Sequence, residues 1–235
     1  MRRSAVTIVI PAYNEEKTIG NVISETTSIM NGLDVPYEII VVDDGSTDKT
    51  GQIASTYKAI VISNKKNCGK GYALRKALQH ASGDIIVTID SDGEHKPKEI
   101  PDLIEPLFNG TDIVAGSRFL GNQRRATKNL NVIGNFLFNA AIMTLTGKVV
   151  TDSQTGFRAV KRHVLETLNL ESDGYEIEAE ITVKGLRNGF VFKEKPITVE
   201  RRQYSISKLK LLSDGTRILK TILRAKFAKI TDYSD

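Results

Sequence analysis

Positions 85–94 read IIVTIDSDGE, a run of apolar and β-branched residues that ends in three acids. Isoleucine, valine and threonine suit the pleated, buried surface of a strand. The apolar run is continuous rather than alternating, which predicts that both faces of the strand are covered, as in a parallel α/β sheet. We therefore expect a central strand of such a sheet here.

Asp90, Asp92 and Glu94 follow the end of this predicted strand. In parallel α/β sheets, ligands bind just beyond the carboxyl ends of the strands. Carboxylates this close repel one another unless a cation neutralises them, and Mg²⁺ or Mn²⁺ prefers such oxygen ligands. The stretch predicts a binding site for a metal ion and a diphosphate. A plain polar turn is one alternative, and a calcium site is another, although the EF-hand pattern is missing.

Composition describes an ordinary globular chain of 235 residues with a net charge of +5 and a pI near 9.2. The positive charge favours an anionic partner, which is phosphate, a membrane surface or nucleic acid. No stretch reaches the roughly 18 apolar residues of a membrane-spanning helix, and no signal-peptide pattern is present. The single Cys68 cannot form an internal disulfide, so we expect a cytoplasmic location.

Strands and helices are predicted to alternate along the first half of the chain. The predicted strands cover 5–10, 37–42, 59–62, 85–89 and 112–115, with helices between them. Alternation with short connections is typical of a right-handed, parallel, doubly wound sheet. Polar clusters follow several of these strands, and we expect them to share one rim of the sheet.

The second half begins with a mostly apolar helix predicted over 129–145, for which core packing and a lipid groove both stay open. Three acids at helical spacing, Glu176, Glu178 and Glu180, are interpreted as a solvated helix face. A basic amphipathic helix is predicted near the C-terminus and is interpreted as a membrane-interface element, with packing on the core as the alternative. We predict one catalytic domain over 1–208, followed by this helical element over 209–235.

Five motifs together resemble the family 2 inverting glycosyltransferases of GT-A fold: PAYNE at 11–15, VDDGS at 42–46, GKG at 69–71, DSD at 90–92 and GSR at 116–118. DSQTGFR at 152–158 and RQYSISK at 202–208 resemble, more narrowly, the dolichol-phosphate mannose and glucose synthases. The resemblance covers roughly residues 5–208. It implies a Rossmann-like, mostly parallel sheet flanked by helices.

The resemblance also implies roles for individual residues. A GDP- or UDP-sugar would be bound by Pro11, Tyr13, Glu15, Val42, Asp44, Lys70, Asp90 and Ser91. Mg²⁺ or Mn²⁺ would be held by Asp90, Asp92 and Glu94, the last of which is commonly glutamine in the mannose synthases. The catalytic set would be Asp92 with three cations that hold phosphates, Arg118, Arg202 and Lys208.

The implied reaction is the metal-dependent transfer of a hexose to polyprenyl or dolichyl phosphate, at the cytoplasmic face of a membrane. Many members of the family carry transmembrane helices. Because no such helix is predicted in this sequence, the chain is expected to meet its lipid through a peripheral surface. A first alternative is transfer to a glycan hydroxyl, for which Asp152 or the three glutamates would supply a general base. A second is a non-catalytic nucleotide-binding module. Nucleic acid is disfavoured, since aromatic interleaving and nucleic-acid motifs are missing.

Overall fold

The computed structural model describes residues 4–120, 129–200 and 211–225, which form an α/β structure with a single seven-stranded sheet. The strands are β1 Val6–Ala12, β2 Tyr37–Asp43, β3 Ile60–Ser63, β4 Ile85–Thr88, β5 Ile113–Ser117, β6 Arg158–Lys161 and β7 Phe192–Pro196. The helices are α1 Ile19–Asn31, α2 Thr50–Ala54, α3 Lys70–Leu78, α4 Ile100–Phe108, α5 Asn129–Thr146, α6 Arg162–Thr167, α7 Ile177–Arg187 and α8 Leu211–Ala225, with a 3₁₀ turn at Pro97–Glu99 before α4.

The strand order is β3-β2-β1-β4-β6-β5-β7. The first four strands are parallel to one another, which confirms the doubly wound arrangement predicted for this half. Strand β6 is antiparallel to both β4 and β5, a reversal that the sequence did not predict. Because Arg158 pairs with Ala115 near the end of β5, β6 starts at the carboxyl rim and runs back into the sheet.

Both faces of the sheet are covered, as the unbroken apolar strands predicted. In β1, Ile8 and Ile10 lie in a cluster that includes the buried faces of α1 and α4, whereas Val9 lies in a second cluster with α3 and α7. This division follows from the two-residue period of a strand, which directs alternate side chains to opposite faces.

A third, smaller core joins α5, α7 and α8. Ile142 of α5 meets Ile218 and Ile222 of α8 there, so one side of the basic C-terminal helix packs on the rest of the protein. Leu219 and Leu223 of the same helix are exposed. Within the described ranges, no helix has the length and apolarity needed to cross a bilayer.

Candidate functional site

The carboxyl ends of the parallel strands β1, β2, β4 and β5 meet at one rim of the sheet. The pairing of Ala12 with Asp43 and of Val9 with Thr88 brings the residues that follow β1, β2 and β4 to the same edge. The predicted acids and Arg118 therefore share one rim, as the strand pattern indicated.

The loops that follow β1 and β2 hold each other through hydrogen bonds. Asn14, with a left-handed φ of 52°, donates its main-chain N–H to Ser46 Oγ at 3.0 Å, and its side-chain oxygen accepts the Thr47 N–H at 2.8 Å. The main-chain N–H of Glu15 donates to Thr50 Oγ1 at 2.8 Å. These hydrogen bonds hold the loop after β1 in place against the loop after β2, and these loops contain the first two predicted donor-binding motifs.

The predicted donor-binding residues at the ends of these strands differ in how exposed their side chains are. Pro11 and Tyr13 are partly exposed at the rim, and Ser91 is buried beside it. Val42 is fully buried in the core with Val9, so its side chain is not presented to a ligand. A contact between residue 42 and a nucleotide base would have to use the main chain.

Asp44 fastens the basic loop that precedes α3. Its carboxylate accepts the main-chain N–H of Gly69 at 2.7 Å and of Cys68 at 3.0 Å, and also the side-chain amide of Asn64 at 2.7 Å. In this structure Asp44 thus positions the loop that carries Lys70.

The two glycines beside Lys70 are required by close packing. A Cβ atom on Gly69 would overlap the carbonyl oxygen of Asp173, and one on Gly71 would overlap that of Ser172. Gly69 also has a φ of 104°, which side chains other than glycine rarely adopt. The Gly-Lys-Gly motif therefore presses the start of α3 against the 172–173 loop and sets the direction of Lys70.

Lys70 lies in a network of buried charges. Its ammonium contacts Asp90 Oδ1 and lies 2.9 Å from Glu178 Oε1, and Glu178 Oε2 lies 3.4 Å from the guanidinium of Arg158. Burial alone would lower the pKa of Lys70, but the carboxylates of Asp90 and Glu178 outweigh it and raise the pKa above its ordinary value. A Cβ atom on Gly156 would overlap the Lys70 ammonium, so a larger residue at position 156 would displace this pair.

Arg158 anchors the network from within the core. It is fully buried and donates hydrogen bonds to the carbonyl oxygens of Thr155 and Ser153 and to Thr182 Oγ1, each at 2.7–2.8 Å. Because these bonds fix the guanidinium, the position of Glu178 beside Lys70 is fixed as well.

The predicted metal ligands lie beyond β4 at a turn through Gly93, whose φ is 77°. Asp92 Oδ1 accepts the main-chain N–H of Glu94 at 3.0 Å, while Asp90 pairs with Lys70. Among the described residues, no three His, Cys, Asp or Glu side chains are arranged to hold an ion. The predicted three-acid set is therefore not assembled here. Mg²⁺ usually binds one or two protein carboxylates together with phosphate oxygens of the ligand. One or two of these three acids would therefore be enough to hold it.

His95 was not identified from the sequence, although it packs into this site. Its ring lies 5.3 Å from that of Phe157, and its Nδ1 is 3.5 Å from Asp90 Oδ2. The residue is buried, and its strand-like bridge to Val199 connects the acidic turn to the chain beyond β7.

Arg118, directly after β5, is held by Asp152. The guanidinium donates from Nε to Asp152 Oδ2 at 2.6 Å and from Nη2 to Oδ1 at 2.8 Å, and the main-chain N–H of Arg118 adds a bond at 3.1 Å. Burial alone would lower the pKa of Arg118, but Asp152 raises it, with smaller contributions from Glu94 and Asp90. A permanent cation is thus fixed close to the acidic turn.

The three glutamates at the start of α7 and just before it are buried, which contradicts the predicted solvated face. Their exposed fractions are 9% for Glu176, 4% for Glu178 and 2% for Glu180. Glu180 accepts the main-chain N–H of Ser172 at 2.9 Å and contacts the Lys184 ammonium. Burial alone would raise its pKa, but these bonds lower it. Glu180 therefore organises the 171–172 loop.

Glu176 and Asp152 differ as candidate general bases. Both oxygens of the fully buried Asp152 accept hydrogen bonds from Arg118, so neither is placed to receive a proton from an acceptor. Glu176 Oε1 accepts the N–H of Gly174 at 3.2 Å, whereas Oε2 is buried without a hydrogen-bond partner. Glu176 is thus the better candidate of the two.

Two predicted catalytic cations, Arg202 and Lys208, lie outside the described residues. Their roles stay predictions.

Comparison with known proteins agrees with this geometry. Residues 7–168 match the model of the family described as glycosyl transferase family 2. A UDP-N-acetylglucosamine–dolichyl-phosphate N-acetylglucosaminyltransferase of Methanococcus voltae is 31% identical over 99% of this chain and all of its own length. A dolichol-phosphate mannosyltransferase of Pyrococcus furiosus is 34% identical over 87% of this chain, which spans 59% of that protein.

The same fold is found in glucosyl-3-phosphoglycerate synthase of Mycobacterium tuberculosis, crystallised with Mn²⁺, UDP and phosphoglyceric acid. That structure has a TM-score of 0.74 and 29% identity, and covers 98% of this chain and 80% of its own. The site at the carboxyl rim, the sheet that builds it and the match over most of the chain lead to one assignment: the protein belongs to glycosyl transferase family 2 and is a glycosyltransferase of GT-A fold.

Proposed function

We propose that the protein transfers a hexose, with inversion at the anomeric carbon, from a GDP- or UDP-sugar to polyprenyl phosphate. The observation that carries this proposal is the fixed guanidinium of Arg118 beside the acidic turn. Its two hydrogen bonds to buried Asp152 hold it in one orientation. A guanidinium so held is suited to receive a phosphate, because its fork-shaped set of donors matches phosphate oxygens.

A phosphate acceptor needs such cations rather than a base. The second pKa of a phosphate monoester is about 6, so the nucleophile is largely ionised at neutral pH. Arg118 would neutralise and orient it for attack on the anomeric carbon. We propose that Arg202 and Lys208 complete this clamp, on the basis of the sequence motif that contains them.

On the donor side, the leaving diphosphate would lie at the acidic turn. Asp92, with Asp90 or Glu94 as a second ligand, would hold Mg²⁺ or Mn²⁺, and the ion would neutralise the negative charge that grows on the leaving group. Lys70 adds a permanent cation beside Asp90. The Mn²⁺ and UDP of the Mycobacterium tuberculosis structure support this assignment.

The acceptor class is supported by relatives whose names contain dolichyl phosphate, one of them matched over its entire length. Because such an acceptor resides in a lipid bilayer, we place the protein peripherally on the cytoplasmic face of a membrane.

A second candidate function is transfer to a hydroxyl group. The buried Glu176 Oε2 without a hydrogen-bond partner favours it, since a hydroxyl nucleophile needs a general base.

Glu176→Gln separates the two functions, because glutamine keeps an oxygen for the Gly174 N–H but cannot accept a proton. With polyprenyl phosphate as acceptor, we expect kcat to stay within about threefold of the wild type, since no base is required. With a hydroxyl acceptor, the same change would lower kcat by roughly 10²–10⁴. The exposed Glu166→Gln serves as a matched control. A loss of the larger size in the phosphate assay would contradict the proposed function.

A further inference from the structure

The described surface carries an apolar patch on helices α5 and α8. Six large side chains form it, each between 43% and 70% exposed: Ile133, Phe136, Leu137 and Met143 on α5, and Leu219 and Leu223 on α8. Helix α5 has no charged residue between 129 and 146. Large exposed apolar surfaces of this kind mark sites where another protein or a membrane binds.

The two helices present these residues side by side. A Cβ atom on Gly215 of α8 would lie 3.8 Å from the ring of Phe138 on α5, so this line of α8 borders α5. Leu219 and Leu223 follow Gly215 at four-residue spacing and lie along the same line. The exposed leucines of α8 therefore lie close to α5.

Positive charge is found on α8 and in the sequence next to both helices. Arg217, Lys220 and Arg224 are exposed on α8. The segments that lead into the two helices, 121–128 and 201–210, contain seven arginines and lysines and no acid in their sequence. In a symmetric dimer formed through this patch, cations of one copy would come close to their own counterparts in the other. An anionic lipid bilayer complements this arrangement, because its headgroups pair with the cations and its apolar interior accepts the patch.

Helix α5 is also bonded to the loop that positions Arg118. Asn135 and Asn139 donate side-chain hydrogen bonds to the carbonyl oxygen of Thr151 at 3.1 Å and 2.8 Å, and Asn139 also accepts the N–H of Ser153 at 3.1 Å. Asp152, which holds Arg118, lies between these two loop residues. The loop that contains Asp152 is thus bonded directly to helix α5, which carries four of the six patch residues and is about 10 Å in diameter.

We propose that the apolar patch inserts into the surface of an anionic lipid bilayer and sets Arg118 at the height of the lipid headgroups. This inference deepens the proposed function and rests on it for the identity of the acceptor. Helix α5, rather than the basic C-terminal helix alone, supplies most of the inserted surface.

Sedimentation with vesicles tests the surface directly. The full-length protein is mixed with vesicles of phosphatidylcholine alone or of phosphatidylcholine with phosphatidylserine. We expect stronger binding to the anionic vesicles, weakened by added salt. The double variant Phe136→Ser/Leu137→Ser should lower the partition coefficient at least roughly tenfold, because two large apolar groups no longer leave water. The matched control is Phe108→Ser/Ile60→Ser, which removes exposed apolar groups on other elements and should bind as the wild type does.

A parallel assay with a short, water-soluble prenyl phosphate separates this inference from the proposed function. The double variant should transfer sugar to that acceptor at the wild-type rate. Vesicle binding as expected, without transfer to any prenyl phosphate, would support the surface and overturn the function. Unchanged vesicle binding by the double variant would overturn the surface. The surface would also be overturned if the wild-type protein formed a dimer that did not bind vesicles and the double variant were a monomer. In that case a second copy of the protein would cover the patch.

Discussion

Replacing Asp92 with asparagine is expected to lower kcat by roughly 10²–10³, the size of effect seen when a group that stabilises transition-state charge is lost. Asparagine keeps a side-chain oxygen for the Glu94 N–H, which Asp92 accepts at 3.0 Å, so the turn should fold as before. What it loses is the negative charge that attracts the metal ion. The check is steady-state transfer over a range of Mg²⁺ and Mn²⁺ concentrations, with the melting temperature measured in parallel.

Asp102→Asn is the matched control, because Asp102 is an exposed acid in the first turn of α4. It should leave kcat and the metal requirement unchanged. If Asp92→Asn kept more than about a tenth of the wild-type kcat, Asp92 would not be the residue that supports charge on the leaving diphosphate.

Arg118→Lys is expected to lower kcat/KM for the polyprenyl phosphate by roughly a hundredfold while the KM for the nucleotide sugar changes little. Lysine keeps the charge, but it cannot make both hydrogen bonds that Arg118 makes to Asp152. The ammonium is then no longer held in one orientation toward the acceptor. Initial rates with each substrate varied in turn separate the two effects.

The matched control for this change is Arg162→Lys on α6, where the guanidinium bonds the carbonyl oxygen of Ala81. It should leave both kinetic constants as they are. An Arg118→Lys enzyme with an unaltered acceptor KM and kcat would show that Arg118 has only a structural part in the loop around Asp152.

The location of the site was predictable from sequence because it depends on local patterns. The run that ends at Ile89 indicated a buried parallel strand, and parallel strands place their carboxyl ends at one edge. The acids after β4 and the Gly-Ser-Arg at the end of β5 were therefore expected together, and the structure brings them together. The same argument predicted both faces of the sheet to be covered.

The partners of these residues were not predictable, because they come from distant parts of the chain. Glu178 reaches Lys70 across 108 positions, and Asp152 reaches Arg118 across 34. Periodicity alone cannot distinguish acids on a solvated helix face from acids that meet buried cations, so Glu178 was misjudged. The reversed direction of β6 was likewise hidden, since a four-residue strand carries no signal for its orientation.

The most direct test of the account compares polyprenyl phosphate with the polyprenol of the same chain length. Purified protein is incubated with radiolabelled nucleotide sugars, Mg²⁺ or Mn²⁺ and one of the two lipids, and label is followed into the organic phase. We expect metal-dependent labelling of the phosphate and none of the alcohol, because the role proposed for Arg118 is to bind a phosphate. Labelling of the alcohol at a comparable rate, or of neither lipid while a glycan hydroxyl is labelled, would contradict a phosphate acceptor.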